Sequence, residues 1–108
     1  MSDYANYKDY ILDKLGERTL LEQLAEEASE LSQAALKLIR AKGLNENVTP
    51  KTEESVMINL TEEMLDCSMV MALLCFKDKK ILTAVLDDSD IGDTPKWKRW
   101  AERLGYKE

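Results

Sequence analysis

An all-α domain is what this sequence predicts, and three observations carry the prediction. The chain is rich in Leu, Ala, Glu, Lys and Met, with only four Gly, two Pro and one Phe in 108 residues, a composition that favours helices over strands. Apolar residues recur at helical spacing along two long stretches. An acidic phrase occurs twice, once in each stretch, as Leu24-Ala-Glu-Glu-Ala-Ser-Glu-Leu31 and Leu60-Thr-Glu-Glu-Met-Leu-Asp-Cys67. The length fits one domain spanning residues 1–108.

The elements follow in order. A short amphipathic helix is expected from about Asp3 to Leu15, with Tyr7, Tyr10, Ile11 and Leu15 as its apolar face and Gly16 as its stop. Thr19 followed by Glu22 has the spacing of a capping box and predicts a second helix running to about Ala41, before Gly43. Residues 43–50 carry the Gly, Asn and Pro of a connection. A third helix is expected from about Thr52 to Phe76, with Val56, Leu60, Met64, Cys67, Met71 and Leu74 as its core stripe. Lys79 to Leu86 reads as a short fourth helix, and residues 87–93 as an acidic loop. Thr94 and Pro95 are placed as N-cap and first residue of a last helix through about Leu104. The second and third helices form the long central hairpin.

Charge and residue types exclude several function classes. A net charge of -6 repels a phosphate backbone, so no nucleic-acid polymer is expected as partner. No histidine occurs, which removes histidine acid–base chemistry, Ser-His-Asp triads and Glu-x-x-His di-iron sites. Cys67 and Cys75 fall in an apolar helical stretch and read as buried, reduced thiols. The apolar run from Met69 to Phe76 is too short for a bilayer and the polar N-terminus has no signal-peptide pattern, so the expectation is a cytoplasmic protein without a membrane partner. No glycine-rich phosphate loop is present, and Asp88-x-Asp90 meets Arg99 where a calcium loop needs Glu.

The acids carry the chemistry. Glu27 and Glu30, like Glu63 and Asp66, are three residues apart, so each pair projects from one side of its helix. At about 100° per residue, Glu27 lies about 60° and Glu30 about 120° from Leu24, and Glu63 and Asp66 lie at the same offsets from Leu60. The inner acid of each pair therefore borders the core. If the hairpin is antiparallel with Ala41 level with Thr52, Glu27 faces Asp66 and Glu30 faces Glu63. Paired acids on helices are usually solvated surface. The repeated phrase, the matching offsets and the register favour a cation site instead. Oxygen donors without His or Cys select a hard ion, Mg²⁺ with Mn²⁺ as substitute, and carboxylate-held Mg²⁺ suits phosphate chemistry.

Glu26-Glu-x-x-Glu30 followed by Glu63-x-x-Asp66 resembles the E-E-x-x-E … E-x-x-D pattern of the MazG-like, all-α nucleoside triphosphate pyrophosphohydrolases. The resemblance covers roughly residues 20 to 104, including residues 22–37, Arg40-Ala-x-Gly43, Asn47-x-Thr-Pro50 and Lys96-x-x-Arg-Trp-x-x-Arg-Leu104, which look like the short phage and prophage branch. It implies hydrolysis of a nucleoside triphosphate to the monophosphate and pyrophosphate. Glu27, Glu30, Glu63 and Asp66 would hold Mg²⁺, and Glu26, the first acid of the motif, would assist a water. It also implies a homodimer or homotetramer whose hairpins pair into a four-helix bundle. The 32 residues between Glu30 and Glu63 exceed the spacing of compact members, and the base pocket is not implied.

Lys96 and Arg99 are candidate contacts for a triphosphate tail, with Arg40 a weaker one; a basic helix end favoured by the dipole explains the first two equally well. Trp97 and Trp100 read as packing anchors against the bundle rather than a stacking platform. The rival to the enzyme is a non-catalytic helical module, sensing nucleotide or mediating assembly, that keeps the acidic site.

Overall fold

The structure, a computed structural model, describes residues 2–47, 50–88 and 95–107. All regular structure among them is helical: α1 (Ser2–Lys14), α2 (Glu17–Ala41), α3 (Glu53–Lys77), α4 (Lys79–Asp88) and α5 (Pro95–Arg103). The all-α expectation and the order of the helices hold. Thr94 and most of the acidic loop lie outside the described residues.

The long pair, α2 and α3, forms the hairpin, and its ends have local causes. Thr52 caps α3, its Oγ1 accepting from the Ser55 amide at 3.2 Å. Gly43, at φ 69°, turns the chain out of α2 in the left-handed conformation that glycine adopts without strain. The start of α2 differs from expectation. It begins at Glu17 behind an extended Gly16 that gives no side-chain cap. Arg18 Nε donates to Glu22 Oε1 at 2.9 Å, so the glutamate that a capping box at Thr19 requires is engaged elsewhere.

Apolar packing is concentrated at the two ends of the hairpin. At the end carrying the α2 N-terminus, Leu20, Val70, Leu73 and Leu74 are buried against Ile11, Leu12, Leu15 and Leu24. Toward the connection, Ala34 and Val56 are buried. The α1 helix packs on α3, and Lys77 ties the two by donating to the Leu12 carbonyl at 2.6 Å. Lys8 and Lys79 also stand 4.4 and 5.4 Å from the Phe76 ring centre.

Three packing expectations fail. Tyr7 and Tyr10 are largely exposed, because α1 meets α3 through Ile11 and Leu12. Met64 and Met71 are about half exposed, 53% and 49%, because they point to a side of α3 that neither α2 nor α4 covers. Trp97 and Trp100 are more than half exposed, and among the described residues α5 packs against no other helix. The radius of gyration is 17.8 Å, against about 13 Å for a compact chain of this length.

Candidate metal centre

The acids lie midway along the hairpin, between the two apolar ends. Carboxylate oxygens of Glu27, from α2, and of Glu63 and Asp66, from α3, lie within 4.8 Å of one another. Glu30, one turn along α2 from Glu27, is hydrogen-bonded to Glu63. All four acids of the two paired motifs thus meet across the helix–helix interface. They do so because each pair spans one turn and the hairpin register sets the two turns at one height.

Burial is uneven in a way that matters. Glu27 and Glu63 are half-buried and Glu30 is exposed. Oε2 of Glu27 and Oε2 of Glu63 are buried and find no hydrogen-bond partner among the described residues. A buried carboxylate oxygen without a donor is a costly arrangement. The Glu63 carboxyl is pushed above its ordinary range, first by burial, then by its hydrogen bond to Glu30 and the charges of Glu30, Asp66 and Glu27. Cys67, buried beneath the cluster, has its thiol pushed up by burial and then by the same acids, so it stays protonated at neutral pH.

One side chain of the site was not expected from the sequence. Gln23 Nε2 donates to Glu27 Oε1 at 2.7 Å and fixes that carboxylate one turn above the cluster. Its only signal is the i,i+4 spacing of Gln23 and Glu27, which is common on helices. Such outer partners hold metal-ligating carboxylates in orientation.

The remaining candidates lie apart from the cluster. Glu26 is exposed on α2 beside Glu27. Arg40 is on the last turn of α2, about 15 Å along the axis from Glu30. Lys96 and Arg99 are exposed on α5, which no described helix contacts. Clustered carboxylate oxygens with two bare buried lone-pair sites fit a hard divalent cation such as Mg²⁺, which takes oxygen ligands and retains positions for water and phosphate. A protonated thiol underneath does not compete for such an ion. Comparison of the chain with protein-family models, with curated proteins and with solved structures found no match.

Proposed function

We propose that this chain is a Mg²⁺-dependent nucleoside triphosphate pyrophosphohydrolase of the MazG-like kind. One observation carries the reading: two half-buried glutamates on facing helices present buried oxygens to each other's neighbourhood with no donor to either among the described residues. Like charges at that distance persist at neutral pH only with a counter-charge or a shared proton. Glu27, Glu63, Asp66 and Glu30 would hold Mg²⁺, which would supply charge neutralisation for phosphate oxygens and make a bound water more acidic. In the reaction, a water oxygen bonds to the α-phosphorus and the bond to the α–β bridging oxygen breaks. Pyrophosphate leaves, and the water's proton passes to a carboxylate at the rim of the site. Glu26, the exposed acid beside half-buried Glu27, would take it. The working form on this reading is a homodimer or homotetramer in which hairpins pair into a four-helix bundle.

A second reading has its own observation. Lys96 and Arg99, the cations meant for the triphosphate, stand on a helix that contacts none of the others among the described residues. A nucleotide-sensing or assembly module that keeps the acidic site fits that separation. The deciding experiment measures pyrophosphate release from a panel of ribo- and deoxynucleoside triphosphates, with and without Mg²⁺, beside Glu63→Gln. Release that requires both Mg²⁺ and Glu63 is expected. Mg²⁺ binding without release from any triphosphate overturns the enzyme and leaves the sensor.

A further inference from the structure

A carboxylate can meet a cation with one oxygen or with both, and ions differ in which they favour. Mg²⁺ takes oxygens at about 2.0–2.1 Å in near-ideal octahedral geometry and keeps several waters among them. Ca²⁺ takes about six to eight oxygens at about 2.3–2.6 Å, in flexible geometry, and readily accepts both oxygens of one carboxylate. What already holds each carboxylate of the cluster therefore bears on which ion fits.

Glu27 is the acid whose surroundings are best defined. Its Oε1 accepts from Gln23 Nε2 at 2.7 Å, while its Oε2 is buried and receives no donor among the described residues. Turning both oxygens toward one ion would stretch or break that short bond. Glu63 shows a similar division, with Oε2 buried and bare and the carboxyl hydrogen-bonded to Glu30. The bond to Glu30 differs in kind, because two carboxyl groups hydrogen-bond only by sharing a proton. That proton leaves when a cation is held there. The Gln23 amide has no such proton to lose, so its hold on Glu27 outlasts the ionisation of every acid around it. It is also neutral. A lysine or arginine donor would hold Glu27 as firmly but would cancel charge that the ion needs.

The helix fixes Gln23 in this place. It is half-buried, three residues after fully buried Leu20 and four before Glu27, so on α2 it stands between the apolar end of the hairpin and the acids. At about 100° per residue it leaves the helix about 40° from Glu27. Its neighbour Leu24 packs against the Leu20 cluster and sets the rotation of this turn.

We propose that Gln23 is a positioning residue that confines Glu27 to one oxygen toward the ion, and that it thereby selects Mg²⁺ over Ca²⁺ at the acid cluster. The proposal rests on the Mg²⁺ reading above and adds what decides between two ions of equal charge. Without the Gln23 donor, Glu27 is free to turn both oxygens inward, the ligation that the larger ion accepts.

The test titrates Mg²⁺ alone and Ca²⁺ alone into the full chain and reads each affinity from the rise in melting temperature with ion concentration. Gln23→Met keeps an unbranched side chain of similar length and removes the donor. Gln33→Met makes the same change at an exposed glutamine of α2. The unmutated chain is expected to bind Mg²⁺ more tightly than Ca²⁺. Gln23→Met should weaken Mg²⁺ by about 10-fold or more, the usual loss when the outer partner of a metal ligand is removed. Ca²⁺ affinity should hold or rise, so the ratio of the two affinities falls by at least that factor. Gln23→Ala, equally without a donor, should move the ratio the same way, with circular dichroism verifying helicity in each variant. A ratio that both Gln23 variants leave unchanged, or that Gln33→Met shifts as far, overturns the proposal. An unmutated chain that binds neither ion overturns the metal reading and this proposal with it. Pyrophosphate release is scored separately: selectivity that depends on Gln23, without release, refutes the enzyme alone.

Discussion

Oε2 of Glu27 and Oε2 of Glu63 give the acidic cluster its character, because they are acceptors removed from water with nothing among the described residues to accept from. The cost appears in proton binding. With the Glu63 carboxyl held above its ordinary range, the folded chain binds more protons than the unfolded chain between the ordinary and the raised value. Stability from this group is therefore greatest below that window and falls as pH rises through it. Asp78 is shifted the opposite way, chiefly by its hydrogen bond from the Lys80 amide, so the total pH curve mixes signs. Differencing against Glu63→Gln isolates the group. In chelator, the variant should melt above the parent, by a margin that grows as pH rises above the ordinary carboxylate range. On the proposed Mg²⁺ reading, saturating Mg²⁺ should reverse the order, since the ion would bind the folded parent more tightly than the variant. A margin that does not change with pH would exclude Glu63 as a strained carboxylate. At this scale the acids were legible, because residue type and a three-residue repeat are written in the sequence. Gln23 was not, because a Gln four residues before a Glu is too ordinary a spacing to single out.

Helix ends and helix faces differed in how far the sequence revealed them. The cap at Thr52 and the turn at Gly43 follow from local chemistry, and the structure has both. The box at Thr19 fails because a neighbouring arginine engages Glu22. Faces are harder still. On α3 almost every direction is apolar, so periodicity cannot say which side meets α2, and Met64 and Met71 fall outside the core for that reason. Val70 and Leu73, absent from the expected stripe, are buried because α1 folds over them. The end of the hairpin that α1 covers should then dominate stability. Leu20→Ala, at 1% exposure, is expected to cost about 2–5 kcal/mol, whereas Leu44→Ala in the exposed turn should cost less than about 0.5 kcal/mol. Urea midpoints with unchanged slopes would measure both. Equal costs would mean that the Leu20 cluster is not the anchor of the fold.

At the scale of the whole molecule, the all-α class and the central hairpin could be read from the sequence because both rest on local propensity and register. The position of α5 could not, since an amphipathic helix announces that it has an apolar face and not what that face meets. No helix among the described residues is long and apolar enough to cross a membrane. The cluster draws two acids from α2 and two from α3, on either side of the turn at residues 42–52. A cation held there would tie two stretches of chain that are far apart in sequence, so backbone continuity through the turn would become dispensable. Cut once between Gly43 and Asn47, where the chain is exposed, the protein should persist as a two-piece complex. Mg²⁺ should raise the urea concentration at which the pieces part, and chelation should lower it, as read by size-exclusion chromatography. Pieces that part equally readily with and without the ion would show that the tie is apolar packing alone. If the ion does govern their parting, the acid cluster works as a reversible clasp, closing with metal much as a disulfide closes with oxidant.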